Sequence, residues 1–246
     1  MSKVSGGKAV YGASLGILML DARFPRIPGD MGNALTWPFP VHYRIVREAT
    51  PDRVVRRNAA GLLDAFIDAA RDLVATGADG ITTNCGFLSL FQAEIAAAVA
   101  VPVATSSLMQ VALVNRILPP GKRAGVLTVS ASTLTPLHLE KAGVPADTPI
   151  ASTEGGREFT RAILDNELDL DVDAARADNV EAAVRLAGEH EGIGAIVLEC
   201  TNMMPYAADI RTATNLPVYT MESFVRWFHS GLEPTRYPAP EAGRQR

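Results

Sequence analysis

Two cysteines in a chain of 246 residues carry its clearest chemistry, because each ends an apolar run and opens onto hydroxyls and amides. The two segments read Thr82-Thr83-Asn84-Cys85-Gly86 and Leu198-Glu199-Cys200-Thr201-Asn202. A thiol with an ordinary pKa of about 8.5 works as acid or base once its surroundings bring it near neutrality. A helix starting at such a residue stabilises the thiolate by about 0.3–1 and at most about 2 kcal/mol. Against about 1.36 kcal/mol per pKa unit, that predicts one thiol at roughly 7–8 without a metal. One acid/base group returns a proton only to the face it came from, whereas two groups on opposite faces of a carbon invert it. The chemistry to look for is therefore a thiolate facing a thiol.

Apolar runs rich in Val, Ile and Leu alternate along the chain with Ala-rich amphipathic stretches, the pattern of parallel strands connected by helices. Strands are predicted at Gly16–Leu20, Gly80–Thr83, Val101–Thr105, Ala124–Val129, Ala195–Leu198 and Leu216–Thr220. Helices are predicted at Asp52–Ala75, Ser89–Val99, Ser106–Arg116, Leu134–Ala142, Gly155–Asn166, Asp173–Glu189, Met204–Thr212 and Met221–His229. Both cysteines then stand where a strand gives way to a helix, the place where parallel sheets bind ligands.

The order strand, cysteine, helix, Pro-Val strand occurs twice, and Pro102 and Pro217 follow their cysteines at the same interval of 17 residues. This internal repeat predicts an α/β fold of two pseudo-symmetric lobes, each a mostly parallel sheet flanked by helices, with the active site in the cleft between them. Lobe 1 is expected at 1–108 with 215–246 returning to it, and lobe 2 at 109–214. Either cysteine alone reads as an inert buried thiol. Their matched places, beside Thr83, Asn84, Thr201 and Asn202, read instead as a catalytic pair.

The segment Ala22–Arg44 is broken by Pro25, Pro28, Gly29, Gly32, Pro38 and Pro40, and reads as a long ordered loop anchored by Trp37 and Phe39. Because it follows the first strand, it is expected to cover the cleft mouth, with Arg23 or Arg26 pairing with an acidic substrate group. The tail from Pro234 is expected to fray.

With 48% apolar residues the chain holds a sizeable core, and its mild net charge of −4, without a basic stripe, argues against nucleic acid as partner. Lys3, Lys8 and the run Ala9–Leu20 resemble a secretory signal in length, but Gly12, Gly16 and Asp21 interrupt that reading. A membrane partner is not expected. Two reduced thiols suit a cytoplasmic protein. The histidines His42, His138, His190 and His229 are scattered, so no metal site is expected.

With Asp21 ending the first strand, the two cysteine segments resemble those of the aspartate/glutamate racemase superfamily, in order and spacing over nearly the whole chain. That superfamily includes amino-acid, hydantoin and allantoin racemases, maleate isomerases and arylmalonate decarboxylases, all without metal or pyridoxal phosphate. The resemblance implies that Cys85 and Cys200 are the acid/base thiols, that Asp21 is a carboxylate assisting a cysteine, and that Thr201 is the threonine after the second cysteine. It also implies that hydroxyls and amides hold a substrate carboxylate, for which Thr83, Asn84, Ser130, Ser132 and Thr133 are candidates. Asn202 stands where related racemases commonly have His or Glu, so it orients or binds but does not titrate.

The expected function is a cofactor-independent racemase or epimerase of a small amino acid, related carboxylate or hydantoin. Two alternatives are a cis–trans isomerase of the maleate isomerase type with Cys85 as nucleophile, and a non-catalytic small-molecule binding protein. A dehydrogenase is disfavoured because no strand leads into a Gly-x-Gly-x-x-Gly turn. Whether the chain forms a homo-oligomer stays open.

Overall fold

Two four-stranded parallel sheets with the same strand order build the protein. The structure is a computed structural model that describes residues 5–238; Lys3 and residues 239–246 of the expected frayed tail lie outside them. The first sheet runs β2 (Val41–Val46), β1 (Leu15–Leu20), β3 (Gly80–Thr83), β4 (Val103–Ala104). The second runs β6 (Ile150–Ser152), β5 (Arg123–Thr128), β7 (Ile193–Leu198), β8 (Val218–Tyr219). Eight α-helices lie among the described residues: α1 (Leu63–Thr76), α2 (Gln92–Ala98), α3 (Val111–Ile117), α4 (Pro136–Lys141), α5 (Phe159–Leu164), α6 (Val172–Glu189), α7 (Ala207–Thr214) and α8 (Met221–Leu232). The α/β fold of two lobes is as the sequence predicts.

The repeat extends to register. Ile81 pairs with Gly16 as Ile196 pairs with Gly125. The amide of Asn84 donates to Leu18 O and that of Glu199 to Leu127 O, while Ile81 and Ile196 donate to the carbonyls of Pro102 and Pro217. Gly16 and Gly125 do the same job in the two halves: a Cβ at Gly16 would stand 2.9 Å from the Ile81 side chain, and one at Gly125 3.0 Å from Leu186. Only glycine lets the helices behind these strands pack so closely.

Strands β1, β3, β5 and β7 are central and almost wholly buried because both their faces are covered, with near-continuous apolar runs in β1 and β7. The edge strands β2 and β6 were not among the predicted elements. β2 reads Val-His-Tyr-Arg-Ile-Val and is half exposed, and β6 is three residues long, so neither has the signature of a buried strand. The predicted helix Asp52–Ala75 is two pieces, a π-helical turn Asp52–Arg56 and α1, because Asn58, Ala59 and Gly61 adopt positive φ and reverse the chain. The returning segment starts later than residue 215. β8 pairs with β7 in the second sheet, and only α8 goes back to the first lobe, where Met221, Phe224 and Val225 pack with Leu15, Ile17 and Met19.

Candidate active site

Cys85 follows β3 and Cys200 follows β7, and each precedes a 3-10 turn, Gly86–Phe91 and Thr201–Tyr206. Both thiols are free and buried. They line one pocket between the lobes, together with Asn84, Gly86, Glu199 and Asn202 and an apolar wall of Leu20, Phe24, Val55, Phe87, Val129, Ile163 and Leu164. The pocket holds about 340 Å³ of atom-free space.

The lobes are pinned together beside the thiols. Thr201 Oγ1 donates to the carbonyl of Asn84 at 2.6 Å, and Ser107 Oγ donates to that of Leu198 at 2.7 Å. Asn84 Oδ1 accepts from the Leu20 amide at 2.8 Å, which fixes the end of β1 against Cys85. On the other side Cys200 Sγ donates to Asn202 Oδ1 at 3.6 Å, and Asn202 Nδ2 donates to Asp30 Oδ2 at 2.6 Å.

Asp30 belongs to the Pro/Gly-rich loop, which closes over the pocket in an ordered conformation. Phe24 from this loop forms part of the wall, Arg26 lies 4.3 Å over the Phe24 ring and pairs with Asp30 at 3.0 Å, and Trp37 is buried with its Nε1 3.1 Å from the Tyr43 hydroxyl. Beside the thiols, the loop meets the second lobe through Asp30.

The other residues read as site candidates are distributed as follows. Thr83 and Thr201 are buried one layer behind the pocket, Thr83 Oγ1 standing 2.7 Å from the carbonyl of Thr105. Ser130, Ser132 and Thr133 gather away from the thiols, where Ser130 and Ser132 donate to Glu154 and Thr133 donates to Ser130. Asp21 turns from the end of β1 towards Arg47, 3.8 Å away, and accepts from the Glu48 amide at 3.4 Å, outside the pocket lining. Arg23 is exposed and its backbone amide donates to Asn166 Oδ1.

The electrostatics differ from the sequence expectation of a thiol at roughly 7–8. Burial pushes the Cys85 thiol up, the nearby Glu199 carboxyl adds to this, and the Phe87 and Leu88 amides with the more distant Arg26 only partly offset it. Burial and Glu199 likewise push up Cys200, against one amide from Asn202. Desolvation outweighs the short 3-10 turns, whose few aligned amides are a small source of field. Both residues are neutral thiols in the closed pocket, and Cys85 has the more cationic surroundings.

Glu199 is the site residue to which the sequence reading gave no role. It is fully buried, and its Oε2 accepts from Thr128 Oγ1 at 2.7 Å while its Oε1 has no partner. Burial, against the Thr128 hydrogen bond, pushes its carboxyl up to about 7. A charged residue directly after an otherwise apolar strand is the sequence signal by which it can be found. Among the described residues, no group of three His, Cys, Asp or Glu side chains stands ready to hold a metal ion. Nor is any helix among them long and apolar enough to cross a membrane.

A glutamate racemase isoform from Bacillus anthracis superposes with a TM-score of 0.60 at 15% identity, covering 89% of this chain and 81% of that one. The chain has the fold of the aspartate/glutamate racemase superfamily. No family model matches it. In sequence it is similar to the dimethylsulfoniopropionate lyase of Durusdinium sp. clade D, 29% identical over 88% of this chain and 75% of that protein. It is also similar to dimethylsulfoniopropionate lyase 6 of Emiliania huxleyi strain CCMP1516, 32% identical over 84% of this chain and 56% of that protein. The chain thus spans little more than half the length of the second relative. These relatives carry the name of a lyase, which overturns the expectation of a racemase, epimerase or other isomerase.

Proposed function

We propose that the chain is a lyase that cleaves dimethylsulfoniopropionate by β-elimination, releasing dimethyl sulfide and acrylate. The observation that carries this reading is the convergence of Cys85, Cys200 and Glu199, with Asn84 and Asn202, on one largely apolar pocket. The similarity to the two named lyases supports the substrate. An elimination needs one base on one face of the substrate, and the superfamily's paired thiols are a scaffold that supplies it.

In this reading Cys85 is the base. It receives two backbone N–H groups and feels Arg26, whereas Cys200 receives one and donates its own proton to Asn202. The Cys85 thiolate takes a proton from the carbon next to the substrate carboxylate. The C–H electrons become the new carbon–carbon double bond, and the C–S pair leaves with dimethyl sulfide. Cys85 then loses its proton to solvent as the products depart. The Asn84 and Asn202 side-chain amides hold the carboxylate, Cys200 orients Asn202 by donating to its Oδ1, and the apolar wall keeps water from the thiolate. Asp21, Arg23, Thr83, Ser130, Ser132, Thr133 and Thr201 support the architecture without touching the substrate.

Reduced thiols suit a cytoplasmic protein, and the reaction calls for a small carboxylate as substrate, with no nucleic-acid or membrane partner. The test is gas chromatography of dimethyl sulfide over the purified chain with dimethylsulfoniopropionate, in parallel with Cys85→Ala. Release by the parent chain and loss in the variant support the reading, and no release by a folded parent chain overturns it.

A further inference from the structure

Glu199 is the single charged residue lining the pocket, and no Lys, Arg or His lines it among the described residues. Its Oε1 is buried without a hydrogen-bond partner. Gly86 forms the adjoining wall, and a Cβ there would collide with that oxygen, so a bare backbone lets the carboxylate sit at the pocket surface. Arg26, the nearest guanidinium in the closing loop, is engaged by Asp30 and the Phe24 ring. The site therefore holds a buried carboxyl group for whose charged form the protein supplies no counter-charge, and a buried unpaired charge is costly. Phe87 adds an aromatic wall, which attracts cations.

We propose that Glu199 recognises the cationic group of the substrate and selects small zwitterions bearing an onium head, sulfonium or quaternary ammonium, over dicarboxylates. This rests on the pocket being the substrate site. The carboxylate would hold the sulfonium end while the amides hold the other end, which orients the acidified carbon towards Cys85. The bound cation also offsets the field with which Glu199 raises both thiols, so substrate binding itself favours the thiolate.

The experiment is calorimetric titration of the full chain with two ligands of the same shape, 3-(trimethylammonio)propanoate and 4,4-dimethylpentanoate, the isostere whose head is uncharged. At pH 8 the parent chain is expected to bind the cationic ligand at least tenfold more tightly. Glu199→Gln should reduce that preference to within threefold, and Glu199→Asp should keep most of it. An undiminished preference in Glu199→Gln, or none in the parent chain, overturns the inference. Should Glu199→Gln fail to fold, the parent chain decides: its preference should fall between pH 8 and pH 6 as Glu199 takes up a proton. Cys85 and Cys200 face Glu199 and stay neutral across that range, since both are raised. A preference flat with pH overturns the inference. Dimethyl sulfide release is scored separately: release without a cation preference sinks this inference alone, and a preference without release sinks the lyase reading alone.

Discussion

Asn84 and Glu199 occupy the same place in the two halves of the protein. Each donates its amide to the carbonyl of the neighbouring central strand, at Leu18 and Leu127, and each directly precedes a cysteine. The duplication has placed an amide on one side of the pocket and a carboxylate on the other. Asn84 spends its side-chain oxygen on the Leu20 amide, whereas Glu199 keeps one oxygen free.

The two thiols should prove unequal. General acid–base groups contribute roughly 10²- to 10⁴-fold, so Cys85→Ala should lower kcat by at least about 10³-fold. Cys200→Ala removes a hydrogen-bonding thiol and should cost about 10- to 100-fold. Steady-state assays of both variants check the order, and the reverse order would assign the base to Cys200.

Activity should climb with pH in two stages. Glu199 must lose its proton near about 7 to meet the cation, so KM should fall as pH rises through that value. Cys85, pushed up by burial and by Glu199, must then ionise, so kcat should go on rising above pH 8. A pH profile with KM and kcat resolved separately tests both limbs.

Gly86→Ala should be nearly inactive and less stable. The added methyl collides with Glu199 Oε1 and with the Glu199 backbone carbonyl. Overpacking of this kind costs roughly 1–3 kcal/mol, measurable by urea unfolding.

Thr201→Val should loosen the lobes. It removes the 2.6 Å bond from Thr201 Oγ1 to the Asn84 carbonyl and leaves that buried acceptor without its partner. A loss of roughly 1–3 kcal/mol in unfolding free energy is expected.

The cluster away from the thiols has a structural role that acid exposes. Burial pushes Glu154 up, but hydrogen bonds from Ser132, Ser130 and Ser152 more than offset this and bring its carboxyl down to about 2. A depressed carboxylate contributes stability that is complete above its unfolded value of about 4.3 and is lost as pH falls towards about 2. Glu154→Gln should therefore destabilise the chain at pH 7 by roughly 1 kcal/mol, allowing for its partial exposure, with the difference shrinking between about pH 4 and pH 2. Urea titrations of both chains across that window check this.

The sequence revealed the duplicated architecture and the convergence of Cys85 and Cys200, because a repeat ties distant residues to equivalent strand ends. The edge strands β2 and β6 stayed hidden because partial exposure and brevity erase the hydrophobic pattern. The ionisation of the thiols was misjudged because the helix-terminus argument omits burial, which only the folded environment reveals. Asp21 was placed by resemblance, yet β1 ends one residue before it and the chain turns it towards Arg47. Glu199 was visible as a charge closing an apolar strand, but its unpartnered oxygen depends on Gly86 and Thr128 meeting it from other elements.

The proposed elimination has Cys85 as its base. Proton NMR of the purified chain with dimethylsulfoniopropionate should show acrylate and dimethyl sulfide appearing in equal amounts, with neither formed by a folded Cys85→Ala variant. Unchanged substrate with the parent chain, or undiminished product formation by Cys85→Ala, would contradict it.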